Sequence, residues 1–256
     1  MKMKTLVTAI QKGGQGKTFA SCHLAFDFAD RGLRVAVIDL DSQANCSFTL
    51  GDHDSGYPAS NLFTADTAGL NEWFSRQENK GISLLAADAS LVNLEKMDLP
   101  TAAANLRANI AAMSDHFDVC LIDTAPSLGV AMTAAVLASD FVLSPVEMEA
   151  YSLQGMKKMV TVIGHLRKQN PKLQFIGMLP NMVDARKPRH VANLQALRAA
   201  YPAFVLPCAI GARDSIAEAL GEKIPVWKVR KTAARTATKE VRTMAAYVYN
   251  KMEIAQ

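Results

Sequence analysis

Between residues 11 and 18 the chain reads Gln11-Lys12-Gly13-Gly14-Gln15-Gly16-Lys17-Thr18. Glycines packed this densely let backbone N–H groups turn toward one point and cradle phosphate oxygens. A helix starting directly afterwards would add the positive potential of its N-terminus. Lys17 would then reach the β- and γ-phosphates of a nucleotide, and the Thr18 hydroxyl would sit on Mg²⁺. The common spacing for such loops, G-x-x-x-x-G-K-[ST], is not met, because Gln11 stands at its first glycine. The same letters could make a plain glycine turn with two solvated lysines; a strand before and a helix after decide for phosphate.

Two carboxylate motifs accompany the loop. Val35-Ala36-Val37-Ile38-Asp39-Leu40-Asp41 ends in acids and runs into Ser42-Gln43-Ala44-Asn45. Acids at the carboxyl end of a buried parallel strand lie where such sheets bind ligands. Asp39 is expected to support the loop or to cap the following turn. Val119-Cys120-Leu121-Ile122-Asp123 is an apolar strand ending in an aspartate, the Walker B pattern, which places Asp123 beside the magnesium shell.

The elements that must position these groups can be read from the apolar runs. Strands are predicted at Thr5–Ile10, Val35–Asp39, Ile82–Ala86, Val119–Asp123, Phe141–Pro145, Phe175–Asn181 and Phe204–Pro207. Their continuous hydrophobicity predicts parallel strands buried on both faces. Helices are predicted at Lys17–Arg31, Ala102–His116, Leu153–Gln169, Val191–Ala200, Ile216–Gly221 and Ala234–Met252. The polar stretch Gly51–Lys80 predicts loops with one short helix ending near Arg76. Alternating strands and helices give an α/β fold: a doubly wound, mostly parallel sheet flanked by helices, expected as one domain over 1–256.

The K-G-G-x-G-K-T loop resembles the deviant Walker A family of P-loop NTPases, which includes partition ATPases, septum-placing ATPases and nitrogenase iron proteins. The resemblance implies that Lys12 crosses a dimer interface to the partner's nucleotide, by the logic of an arginine finger. It implies that Asp41 orients or polarises the attacking water. The catalytic set is thus Lys12, Lys17 and Asp41, with Thr18 and Asp123 at the metal. ATP is expected on Lys12, Gly13, Gly14, Gln15, Gly16, Lys17, Thr18 and Phe19.

Further along, Phe141-Val142-Leu143-Ser144-Pro145-Val146-Glu147 and Tyr151-Ser152-Leu153-Gln154-Gly155 look like the strand and helix after Walker B in ParA-type partition ATPases. Asn181-Met182-Val183-Asp184-Ala185-Arg186 sits where such proteins contact adenine. Asn181 reads there either as a base reader or as an Asx-type turn residue. ParA-type proteins form ATP-bound homodimers that coat DNA without sequence preference, and a ParB-type centromere-binding partner stimulates their slow, Mg-dependent hydrolysis. Lys2 or Lys4 could carry the basic tail of partner stimulation. A cytoplasmic, nucleoid-associated protein is implied.

A DNA surface would draw on basic residues clustered late in the chain: Arg186, Lys187, Arg189, Arg213, Lys228, Arg230 and Lys231. The resemblance assigns DNA contact to the position of Arg213. The alternative is a solvated helix face. No helix-turn-helix region precedes the loop, so base readout is not expected. A MinD-like membrane-cycling ATPase is the alternative function, but the end of the chain, from Met244 on, is apolar and scarcely basic, which predicts packing rather than lipid contact. An iron-protein role would need cysteines just beyond Asp123, and none stands between Asp123 and Tyr151. A small-molecule kinase or ligase would need a substrate pocket that the sequence does not display.

The totals agree with this reading. Half of the 256 residues are hydrophobic and a fifth charged, enough for a well-buried core. A net charge of +4 and a pI near 8.8 permit contact with DNA or acidic lipid without requiring either. Cys22, Cys46, Cys120 and Cys208 have no C-x-x-C spacing, which predicts reduced, buried thiols rather than a disulfide framework or zinc site. The longest uncharged stretch, Thr124–Ser139, is too short to span a bilayer.

Overall fold

Strands whose two faces are both covered have no polar face to display, and this chain supplies two covers. The computed structural model describes residues 2–10, 12–78, 80–149 and 152–254, with backbone alone for 152–156. Gln11 and Tyr151, quoted above, and the side chains of Ser152–Gly155 lie outside what is described. The strands are β1 (Lys4–Thr8), β2 (Val35–Leu40), β3 (Ile82–Leu85), β4 (Val119–Thr124), β5 (Phe141–Glu147) and β6 (Gln174–Asn181). Every pairing is parallel, in the order β3-β2-β4-β1-β5-β6.

The helices are α1 (Lys17–Asp30), α2 (Asn45–Thr49), α3 (Thr67–Ser75), α4 (Leu99–Ala112), α5 (Val130–Ala138), α6 (Ser152–Gln169), α7 (Pro188–Ala200), α8 (Asp214–Gly221) and α9 (Ala234–Lys251). Alternation along each strand deals its side chains to two cores. Leu6, Val35, Val37, Leu121 and Leu143 face α1, α8 and α9. Val7, Ala36, Ile38, Ile122 and Val142 face α3, α4, α5 and α6. The sheet is therefore the expected doubly wound one.

Because α1 is sandwiched between sheet and α9, it is apolar nearly all round, from Phe19 through Phe28. It ends in a Schellman motif: Gly32 takes φ 86°, Leu33 N–H donates to Phe28 O, and Gly32 N–H donates to Ala29 O. On α9, Ala234, Ala237, Val241, Met244, Ala245 and Val248 recur at helical spacing and are buried against α1 and its neighbours. Met252 and Ile254 are buried as well. Among the described residues no helix is long and apolar enough to cross a membrane. All four cysteines are free.

Several boundaries differ from the expected ones, each for a local reason. Phe204–Pro207 is no strand; it makes a single bridge, Val205 to Met178. Pro207 cannot donate to a ladder, and β6 is kinked opposite it, with Gly177 at φ 136° and the Phe204 carbonyl pressed against it. The fourth helix starts earlier, at Leu99, because Asp98 caps it through Thr101 N–H and Pro100 suits its first turn. It also stops earlier, passing at Met113 into a short 3-10 turn. Pro188 likewise opens α7 ahead of Val191. Helices α2 and α5 were not expected, the first being only five residues long and the second lying inside the uncharged stretch.

Candidate active site

All strands point their carboxyl ends to one edge, and the register sets the site's acids side by side. Asp39 on β2 pairs with Asp123 on β4, and Thr8 on β1 pairs with Asp123 from the other side. The chain leaving β1 is held by two hydroxyls: Thr124 Oγ1 donates to Thr8 O at 2.8 Å and Ser144 Oγ to Ala9 O at 2.9 Å. It then turns through the glycine loop into α1. Gly14 (φ 72°) and Gly16 (φ 94°) take the left-handed conformation that favours glycine. At Gly16 a Cβ would lie 2.1 Å from Asn181 Nδ2, so no side chain fits there.

The loop forms one wall of a cleft of about 490 Å³. Gly13, Gly14, Gln15, Gly16, Lys17, Thr18 and Phe19 line it, with Asp41 and Gln43 opposite. Thr18 Oγ1 donates to Asp123 Oδ2 at 2.7 Å, while Thr8 and Ser21 donate to Oδ1 at 3.1 and 3.3 Å. Burial, and after it the charge of Asp39, push the Asp123 carboxyl up to about 7, against the pull of Thr18, Lys17 and Thr8. Burial also lowers the Lys17 ammonium, which Asp123 and Asp41 hold up in part. Asp123 and Asp41 thus both act on one buried lysine, with Asp39 adding its charge behind Asp123, an excess of negative charge that suits a hard divalent cation. Among the described residues no cluster of three or more His, Cys, Asp or Glu could hold a metal alone. Phosphate oxygens and water would have to complete the shell, as magnesium sites require.

Asp39 is spent inside the fold. Its carboxylate accepts from Asp41 N–H at 3.0 Å and from Ser47 N–H and Oγ–H at 2.8 and 2.7 Å. Burial raises its pKa, and these hydrogen bonds oppose the rise. It is the loop support that sequence suggested. Asp41 instead stands in the cleft, one oxygen accepting from Gln43 N–H at 3.0 Å. Lys12 is exposed and makes no ion pair among the described residues.

Asn181 is buried, and its Nδ2 donates to Gln15 O at 2.8 Å. That amide nitrogen is therefore engaged with the glycine loop. Phe19 is buried against His23, ring centroids 5.0 Å apart. Apolar side chains that sequence did not single out rim the cleft instead: Phe48, Met182 and Leu220. Phe48 and Met182 are 58% and 38% exposed. Met182 lies in the segment that the resemblance sets against adenine, whereas no motif marks Phe48 and Leu220, which join it only through the fold.

The basic residues fall into two groups. Arg186 and Lys187 lead into α7 and Arg189 lies in its first turn, whereas Arg213, Lys228, Arg230 and Lys231 surround α8 and the start of α9. The Val183–Gly211 bridge ties the two loops together. Arg186 pairs with Asp184 at 3.0 Å, Arg189 with Glu149 at 3.3 Å, Arg213 with Glu240 at 2.7 Å and Lys231 with Glu218 at 2.5 Å. Lys187, Lys228 and Arg230 are exposed and have no such partner among the described residues.

A family profile described as an AAA domain matches residues 3–175. Over 254 residues the chain is 72% identical to the protein IncC of Escherichia coli, covering 99% of this chain and 71% of that one. It is 32% identical over 193 residues to the chromosome partitioning protein ParA of Caulobacter vibrioides, covering 72% and 71%. Its fold superposes on a McdA–ATP complex from Cyanothece with a TM-score of 0.81 at 22% identity, over 100% of this chain and 98% of the other.

Proposed function

The chain belongs to the ParA-type partition ATPases of the P-loop superfamily, and we propose that it works as an ATP-driven DNA-partition switch. It dimerises on ATP, binds DNA without sequence preference, and is released when a ParB-type centromere-binding partner stimulates hydrolysis. The observation that carries this reading is the convergence of Lys17, Thr18 and Asp41 on one cleft above the buried Asp123.

In this reading the loop N–H groups of residues 13–18 bind the phosphates, and Lys17 offsets their charge. Thr18 and Asp123 would hold Mg²⁺, which supplies charge neutralisation on the transferred phosphoryl group. Asp41, held beside Gln43, orients water for attack. Lys12, exposed and without an ion pair among the described residues, reaches the nucleotide of the second subunit. The base lies against the apolar rim of Phe48, Met182 and Leu220, with Asn181 bracing the loop beneath. Lys187, Lys228 and Arg230 supply the unneutralised charge for DNA phosphates, and Arg186, Arg189, Arg213 and Lys231 join them by exchanging carboxylate for phosphate. Burial of the apolar stripe of α9 speaks against a lipid-cycling role.

Co-sedimentation with DNA in ATP, ADP or no nucleotide, across a salt series, tests the switch. ATP-selective, sequence-independent and salt-sensitive binding is expected. Asp41→Ala should bind ATP, hydrolyse it slowly and stay on DNA. Equal binding in all three nucleotide states would remove the DNA reading while leaving the ATPase assignment standing.

A further inference from the structure

Among the described residues, the glycine loop is gripped from outside itself at Gln15. Its side chain is only 3% exposed. Gln15 Oε1 accepts from Glu147 N–H at 2.9 Å, and Nε2 lies 3.4 Å from both Glu147 Oε2 and Gly13 O, donating toward each. Its backbone carbonyl accepts from Asn181 Nδ2 at 2.8 Å. Glu147 and Asn181 are register partners at the carboxyl ends of β5 and β6. Two paired strand ends therefore hold the residue between Gly14 and Gly16, where the backbone must approach phosphate.

The same strand ends lead to α7. Met148 O accepts from Asn193 Nδ2 at 3.0 Å, and Glu149 Oε1 is met by Arg189 Nη2 at 3.3 Å and His190 Nε2 at 3.5 Å. Asp184 N–H donates to His190 Nδ1 at 3.2 Å, so the ring proton sits on Nε2 and faces Glu149. From Asn181 the second arm passes through Met182, at φ 53°, into Val183 and Asp184. The phosphate loop and the basic N-terminus of α7 thus share one pair of strand ends.

We infer that Gln15 and Glu147 form a positioning pair that fixes the phosphate loop and transmits its occupancy to α7. The inference deepens the DNA-switch reading and rests on it for the α7 half. Gln15 is a positioning residue, since its side chain acts on the loop through Gly13 and Glu147. An amide suits the parent pair because it accepts from one group and donates toward two others. Gln15→Glu removes the donor and sets a carboxylate against Glu147. The carboxylate at 15 still accepts from the backbone N–H of 147, and adding Glu147→Gln turns the side-chain pair round, giving that carboxylate a donor and leaving only the long donation to Gly13 O lost.

The test is a cycle of the parent chain, Gln15→Glu, Glu147→Gln and the double variant. ATP·Mg affinity is read by calorimetry, and the ATP-over-ADP preference for DNA by co-sedimentation at saturating nucleotide. Gln15→Glu should weaken ATP·Mg by about tenfold, the scale of a buried hydrogen bond lost, and should narrow the DNA preference. The double variant should recover both to within about threefold of the parent, a rescue that general misfolding would not give. Parent-like behaviour of Gln15→Glu, or a double variant no better than it, overturns the inference. A parent protein with no ATP-over-ADP preference overturns the DNA reading and the transmission to α7, while ATP·Mg affinity across the cycle still decides the grip.

Discussion

A lysine that stands exposed beside a phosphate cleft is informative when no ion pair among the described residues uses it. Lys17, buried between Asp123 and Asp41, has its work inside the cleft; Lys12 does not. If Lys12 serves the second subunit, its loss and the loss of Asp41 must complement. Lys12→Ala and Asp41→Ala should each cut steady-state ATP turnover by about 100-fold or more, the scale of a missing transition-state charge or a misplaced water. Mixed in equal amounts, they should recover roughly a quarter of parent turnover, since half the dimers are mixed and each has one complete site. A mixture no faster than its components would place Lys12 in cis or outside the chemistry. These residues were legible in sequence because the loop and both acid-tipped strands are contiguous motifs. The grip on Gln15 was not, because it depends on the register that sets Glu147 beside Asn181. Nor were Phe48 and Leu220, which come from α2 and α8 to join Met182 on the rim of the cleft.

Among the elements, the strands were readable wherever two cores bury them, and the one misread, Phe204–Pro207, is the one with a proline and a kinked neighbour. Helix α1 carries a further consequence inside its apolar packing. His23 is fully buried; Val226 N–H donates to its Nε2 at 3.3 Å, so Nδ1 holds the proton and donates to Phe19 O at 3.1 Å. Burial depresses its pKa to about 4, from an unfolded value near 6.5. Between those values the unfolded chain binds a proton that the folded chain refuses, so the stability due to neutral His23 is complete above pH ~6.5 and is lost as pH falls toward ~4. The full loss is on the order of 3 kcal/mol. Asp123 works in the opposite direction over an overlapping window, because its carboxyl is raised to about 7 in the fold and gains stability as pH falls. The net curve of the parent therefore hides both. The difference between parent and His23→Gln, whose amide can still accept from Val226, isolates the histidine. Urea unfolding at several pH values should show the variant losing less stability than the parent from pH 6.5 to 4.5. Parallel curves would mean that His23 is not held neutral by the α1 packing.

At the scale of the molecule, the modest charge of +4 becomes functional only through where it is left unpaired. Arg186, Arg189, Arg213 and Lys231 are matched to Asp184, Glu149, Glu240 and Glu218, so a phosphate must displace a carboxylate to use them. Lys228 and Arg230 lie just ahead of α9, beside a groove of about 490 Å³ that also includes Lys231 and Arg235 along its wall. Charge without an ion-pair partner among the described residues is redirected without breaking a contact, so Lys228 and Arg230, together with Lys187 at the entry to α7, should dominate the salt dependence of DNA binding. Lys228→Glu combined with Arg230→Glu should lower the ATP-state affinity for DNA by at least about tenfold at moderate salt and reduce the slope of log affinity against log salt by about 2. Arg186→Ala, which removes an already neutralised charge, should change the slope by less than about 0.5. ATP·Mg affinity should stay level in both, because neither set lines the nucleotide cleft. If the double reversal leaves the salt slope unchanged while Arg186→Ala lowers it by about 1, the DNA face lies at the N-terminus of α7 rather than at the entry to α9. The strand ends that grip Gln15 would then be the shorter path from nucleotide to DNA.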